Sequence, residues 1–411
     1  MDIIKIKEMK ELINNRFTHK PWNYLLDCAE PDGTAFIPTP EECNKGIPNV
    51  LGWTTNNENG AFFTGLYLYA LCDAYECEPK AELKSEIVNY TNGLLRLCDV
   101  CKNDGCIARG VSDDGISHYP FSSEDQACPF ILGLWRMLHS DASDNQLKSE
   151  VTARLKRTLK GIREAGWKVP TEWVGVTRGD CSRNDWRGCA KLIFCAKISE
   201  ELGIIDIKEF ENLRNEYPKN SPYTRYEIVS HGFSPDMIRN SELIQFWIDM
   251  CAHLCVFEMK NLDKKYSDYY EMGIRNNGYS SYRFFDDFKK YTNSTAPGYC
   301  FDWRTVNNNK LTKVWDDPDE AVRTAGIQVG EFNKICKRRH MEHVVLGQCL
   351  FAIWIALASD DKKTSEYAQK KLMEAIDYIK WETMACSYVF VAISAYYFSK
   401  KKIYKNITCD K

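Results

Sequence analysis

The sequence predicts an all-α fold, a closed ring of helical hairpins, and three observations predict it. Apolar and amphipathic helices alternate along the 411 residues. Links before the apolar helices are long, while those after them are short. Strand signals are sparse and confined to the long links.

Segments 61–71, 130–138, 189–198, 243–257, 344–358 and 384–398 are apolar nearly all round. A helix without a polar face has to be surrounded by protein, so these are the inner helices. The second kind carries a single apolar stripe. Leu83, Ile87, Leu94 and Cys98 make one; Leu147, Val151, Leu155, Leu159 and Ile162 make another; Ala368, Leu372, Ile376 and Ile379 make a third. Such helices cover a core and meet water on the other face. A helix over about 4–28 precedes the first inner one, and shorter or more polar outer segments at 207–215 and 261–274 serve the fourth and fifth, which gives six inner and six covering helices.

The links at 76–80, 140–144 and 359–363 are short, whereas 29–57, 102–122, 166–184, 216–239 and 276–339 are long. With antiparallel hairpins, every long link emerges at the end where an inner helix begins, so one rim is plain and the other elaborated. The longest, a loop insertion at about 276–339, reads as a lid. Irregular spacing between inner helices excludes a regular helical repeat array, and no break in composition divides the chain, so residues 1–411 form one domain.

An apolar share of 44% with 13% aromatics supplies a sizeable core. A net charge of −3 offers no basic field for nucleic acid or an anionic membrane, and no apolar run reaches the length of a membrane span. Charges fill the start, where a signal peptide would be apolar. As written the chain is expected in the cytoplasm, or in the periplasm or secreted if a leader has been removed. The eighteen cysteines are dispersed, mostly inside apolar runs, as small hydrophobes suited to a reducing compartment. Cys98-x-x-Cys101 with Cys106 is the one cluster that suggests metal; no second pair follows at zinc-ribbon spacing, so neither metal nor cofactor is expected. His340 and His343 lie a helical turn apart without a third ligand and read as rim polarity. Pro318 beside Asp316 and Asp317 argues against a helix there.

The inner helices open with polar residues: Glu58 and Asn59; Ser123, Glu124, Asp125 and Gln126; Arg183, Asp185 and Trp186; Arg239, Asn240, Ser241 and Glu242; His340, Glu342 and His343; Trp381 and Glu382. Ser123 to Gln126 also fits a capping box, the bland explanation of its acids. Gathered in a ring, these residues form a polar cup whose convergent helix N-termini favour carboxylate or sulfate groups.

Six alternating hairpins with such residues at the inner helix starts resemble the six-hairpin glycosidase superfamily, across nearly the whole chain as architecture. Asp125-Gln-Ala-Cys-Pro129-Phe130 is similar to the stretch of unsaturated glycuronyl and rhamnogalacturonyl hydrolases in which an aspartate at a helix start precedes Pro-Phe. The resemblance implies an (α/α)6 toroid with a central funnel, and Asp125 as general acid/base. Glycoside cleavage needs a second carboxylate, for which Glu58 and Asp185 are the candidates. Trp53, Tyr119, Trp167, Trp173, Tyr299, Trp303 and Trp315 in the long links offer faces on which sugars stack; Trp186 opens the third inner helix. Arg109, Arg178, Arg183, Arg187 and Arg304 offer bidentate clamps for an acidic sugar. Asn59, His118 and Gln126 complete the expected substrate contacts. The expected function is hydrolysis of an oligosaccharide, neutral or uronic-acid-containing; the sequence leaves the oligomeric state open. A polysaccharide lyase or sugar epimerase, for which His118 and Tyr119 offer bases, and a non-catalytic carbohydrate-binding protein are the alternatives.

Overall fold

A computed structural model describes residues 3–233, 245–293, 302–306 and 317–409. The described chain is all-α, with two short hairpins. The helices are α1 (Ile3–Leu12), α2 (Pro40–Lys45), α3 (Gly60–Cys77), α4 (Ala81–Asp99), α5 (Glu124–Leu138), α6 (Asn145–Glu164), α7 (Trp186–Glu201), α8 (Ile207–Asn215), α9 (Arg225–His231), α10 (Phe246–Leu262), α11 (Ser267–Ser281), α12 (Trp303–Val306), α13 (Pro318–Ile335), α14 (Lys337–Met341), α15 (Gln348–Leu357), α16 (Lys362–Tyr378) and α17 (Val389–Cys409). The antiparallel hairpins pair β1 (Thr18–His19) with β2 (Tyr24–Leu25) and β3 (Lys168–Pro170) with β4 (Thr177–Asp180).

The apolar helices touch one another: α3 packs on α5 and α17, α5 on α7 and α10, α7 on α10, α10 on α15, and α15 on α17. The amphipathic ones lie against them, α4 on α3, α6 on α5, α11 on α10, α16 on α15 and α1 on α17. Their stripes are buried, including Leu83, Ile87, Leu94 and Cys98 of α4 and Val151, Leu155, Leu159 and Ile162 of α6. Acids set several helix starts: Asp144, Asp185, Asp206, Asp317 and Asp361 each accept a backbone N–H of their own helix.

Two glycines decide how closely α3 and α5 approach. A Cβ on Gly65 would sit 2.2 Å from the Pro129 carbonyl oxygen, and one on Gly133 would sit 2.4 Å from that of Gly65. No larger residue fits either place.

Several expectations need correction. The first helix stops at Leu12; a π turn over Ile13–Phe17 and the β1–β2 hairpin follow, with Asn23 at φ 53° reversing the chain. Asp27 consequently leaves the hairpin in a non-helical segment. The stretch expected to be a loop insertion contains the end of α11 and helices α12 and α13. Pro318 begins α13 rather than preventing it, because proline at the first helical position loses no intrahelical bond. Helix continues from Lys337 to Leu357, long and apolar enough to cross a membrane by length and composition, with 72% of its apolar window buried inside the protein. The expected rim residues Arg239, Asn240, Ser241 and Glu242, and Tyr299, Trp315 and Asp316, lie outside the described residues.

Candidate active site

The starts of α3 and α5, the segment after β2 and helix α13 meet around a cavity of about 580 Å³. Asp27, Glu58, Glu124 and Asp125 bring carboxyl groups to it, and Arg109, Arg178, Arg183, Arg187 and Arg339 bring cations. Trp53, Phe63, Trp247 and Tyr388 supply aromatic wall. Gly326, Val329 and Asn333 of α13 also line it, from the stretch expected to act as a lid.

Asp27 is held by backbone on both sides, its N–H donating to Asn56 O at 2.7 Å and its carbonyl accepting from Ser387 N at 2.9 Å. Its Oδ2 accepts from the Asn59 backbone N at 2.7 Å and its Oδ1 from Asn59 Nδ2 at 2.6 Å. Burial, followed by the neighbouring Glu58 charge, pushes the Asp27 carboxyl up to about 7, although Arg339 and the Asn59 bonds pull the other way. Glu58 Oε2 accepts from Thr54 N at 2.8 Å and from Arg339 Nη2 at 3.2 Å. The two carboxyls therefore differ in surroundings: Glu58 faces the buried guanidinium directly, while Asp27 sits among neutral donors.

Asp125 is the second residue of α5, not its cap, so its side chain is free of the capping bond. Pro129 has no N–H to return to the Asp125 carbonyl four residues earlier, which loosens the first turn at that position. Asp125 Oδ1 lies 3.4 Å from Nζ of Lys191, a lysine only 1% exposed. Burial works against that ammonium, but Asp125, Cys128 and Glu124 overcome it and hold Lys191 above its ordinary value. Beside it, burial and the Asp125 charge raise Glu124, whose Oε1 lies 3.4 Å from Arg183 Nη1.

The expected capping box at Ser123 does not form. Ser123 is the N-cap but makes no capping bond; its Oγ accepts from Arg109 Nη2 at 3.1 Å. Gln126 turns inward, donating to Asn59 Oδ1 at 3.1 Å and accepting from Phe62 N at 3.1 Å. A relay Asp27–Asn59–Gln126 thus ties the starts of α3 and α5 together behind the cavity wall.

Across the cavity, His343 Nδ1 is hydrogen-bonded to Tyr388 Oη, and Trp247 meets the imidazole edge-on at 5.2 Å. Burial and the Arg339 charge lower His343 to about 4, so its ring is neutral; burial raises the Tyr388 phenol.

Of the residues chosen from sequence, Glu58, Asp125, Trp53, Asn59, Arg109, Arg178, Arg183 and Arg187 line the cavity, as do Ser123, Glu124, His340 and His343 of the expected rim. Gln126 stands one layer behind. Several of the other described ones lie elsewhere, each for a visible reason. Asp185 is consumed as the α7 cap, accepting from Gly188 N at 2.7 Å. Trp186 is buried, donating to Val229 O at 3.1 Å, and Trp303 is buried, donating to Phe36 O at 2.8 Å. Trp173 packs edge-on against Phe121 at 4.6 Å, and Tyr119 donates its hydroxyl to Ile47 O, so both anchor loops. His118 bonds the Ile116 carbonyl at 2.9 Å, away from the cavity. Glu342, expected at the rim, is fully buried and accepts from Ala385 N and Cys386 N at 3.0 and 2.7 Å.

Asp27, Arg339, Trp247 and Tyr388 went unrecognised as site residues in the sequence. Asp27 carried one signal, an acid enclosed by Leu25, Leu26 and Cys28. No protein-family model matches the chain, and neither a curated protein nor a solved structure matches it.

Proposed function

We propose that the chain is a glycoside hydrolase built as an (α/α)6 toroid, cleaving an oligosaccharide in the cavity above the inner helices. The ring reading is supported by the succession of neighbours α3, α5, α7, α10, α15 and α17, the last returning to α3. The observation that carries the catalytic reading is the pairing of two differently placed carboxyls in one cavity. Asp27 keeps its proton to about 7, while Asp125 faces a buried ammonium. A carboxyl that keeps its proton and a second that lies against a fixed cation are the two groups that glycoside cleavage requires.

Asp27 donates its proton to the leaving glycosidic oxygen. Asp125 is the second carboxylate, acting on the anomeric carbon or on the attacking water. Trp53 and Trp247 offer stacking faces, and Arg178, whose guanidinium lies 5.9 Å above the Trp53 ring, offers a cation to an acidic substituent. Arg178 Nε is a buried donor without an acceptor among the described residues, which favours an anionic or strongly polar ligand group there.

The lyase or epimerase reading is favoured by one contact, the His343–Tyr388 pair, but its groups are poorly tuned as bases. The phenol is raised and the imidazole lowered. A reducing-end assay over acidic and neutral oligosaccharides tests the proposal. New reducing ends, without a new ultraviolet-absorbing double bond, are expected. Unsaturated product identifies a lyase, and binding without any product identifies a carbohydrate-binding protein.

A further inference from the structure

Away from the cavity, the end of α4, the loop after it and the β3–β4 turn converge on two thiols and a carboxylate. Cys101 Sγ, Cys106 Sγ and a carboxylate oxygen of Glu172 all lie within 4.8 Å of one another, the cysteines buried and the glutamate partly exposed. A fourth donor borders the set: His118 Nε2 is 3.9 Å from Cys101 Sγ. We propose that Cys101, Cys106 and Glu172, with His118, form a tetrahedral site for a single divalent ion of the zinc class.

The donor chemistry selects the ion. Two thiolates with an imidazole and a carboxylate suit zinc and exclude the hard, all-oxygen cations. Tetrahedral zinc with sulfur at about 2.3 Å and nitrogen or oxygen at about 2.0–2.2 Å separates its donors by roughly 3.3–3.8 Å, so the two thiols and the Glu172 carboxylate need to close by about an ångström, and His118, outside that set of three, has to swing in towards Cys106 and Glu172. His118 is already oriented as ligands of this kind are. Its Nδ1 lies 2.9 Å from the Ile116 carbonyl oxygen, which fixes the proton on Nδ1 and leaves the Nε2 lone pair free. The Glu172 carboxylate is steadied by Lys102 N at 2.9 Å. Two thiolates and one carboxylate around a doubly charged ion leave one negative charge, and Arg157, donating to the Cys101 carbonyl at 2.5 Å, stands next to it.

The sequence concealed this site because only Cys101 and Cys106 are close along the chain. His118 arrives at the far end of the loop and Glu172 from the next link but one. Bound there, the ion staples the loop that carries Arg109 towards the cavity, and the inference does not depend on what the cavity cleaves.

The test uses the full chain, purified under reducing conditions, loaded with zinc, dialysed against metal-free buffer and assayed for metal. About one equivalent is expected, together with a thiolate-to-metal charge-transfer band when cobalt(II) replaces zinc. Cys101→Ser with Cys106→Ser abolishes the band. Because His118 and Glu172 are partly exposed, His118→Ala and Glu172→Gln test the site in folded protein, checked by circular dichroism, and each weakens zinc binding about tenfold or more. Retention of well under half an equivalent overturns the proposal. So does binding that is indifferent to all four substitutions, or a Cys101–Cys106 disulfide that persists through purification under reducing conditions.

Discussion

Asn59 holds both oxygens of Asp27, one through its backbone N–H at 2.7 Å and the other through its side-chain amide at 2.6 Å. Because Asn59 also accepts from Gln126, the carboxyl proposed as acid is positioned by the same contact that joins α3 to α5. Replacing Asn59 by Ala removes a donor that favours the charged form of Asp27. The alkaline limb of the activity profile should therefore move up from about 7, with lower turnover, as read from initial rates between pH 5 and 9. Gln126 Nε2 loses its acceptor in a buried position, at a cost of about 1–3 kcal/mol in denaturant unfolding.

Asp27 also couples stability to pH. Its carboxyl is raised to about 7 in the folded chain, whereas an unfolded aspartate titrates near the ordinary value of about 3.9. The native state then holds a proton that the unfolded state has released, so stability falls as pH rises from about 4 to about 7 and levels off above that. Asp27→Asn should flatten this slope. An unchanged slope in chemical denaturation at several pH values would mean that Asp27 is ionised throughout.

Asp125→Asn should abolish turnover, and it also leaves Lys191 buried opposite a neutral side chain. Removing one partner of a buried ion pair costs about 3–5 kcal/mol, and less here because the Asp125 side chain is 21% exposed. Adding Lys191→Met should return most of that stability without returning activity. A double variant that folds well and still turns over substrate would remove Asp125 from the mechanism.

Gly65→Ala and Gly133→Ala each place a methyl group against backbone, at 2.2 and 2.4 Å. Backbone cannot swing aside as a flexible side chain does, so each should destabilise by about 1–3 kcal/mol and widen the α3–α5 spacing. Loss of the Asn59–Gln126 contact should follow, visible as reduced amide-exchange protection at the start of α5.

The helices were legible because periodicity is local. The stripe Leu83, Ile87, Leu94 and Cys98 announces a covered face whatever lies beneath it, and all four are buried. Part of the cavity was legible for the same reason, since Glu58, Asn59 and Asp125 stand at the starts of apolar helices. The signal failed where one position serves two ends. Asp125 and Asp185 look alike in sequence, yet Asp185 is spent on capping Gly188 N while Ser123, two residues earlier, occupies the cap position and leaves Asp125 free.

Local order among the residues was enough to locate the inner helices and the striped helices that cover them, and to show that acids cluster where inner helices begin. Each of these follows from the order of neighbouring residues. Packing of the helices was needed to bring Asp27 to Glu58 beneath Arg339, Lys191 to Asp125, and Glu172 to Cys101 and Cys106. Those groups are distant in the chain, and their protonation and ligand chemistry depend on burial and on neighbouring charge, which exist only once the helices have packed.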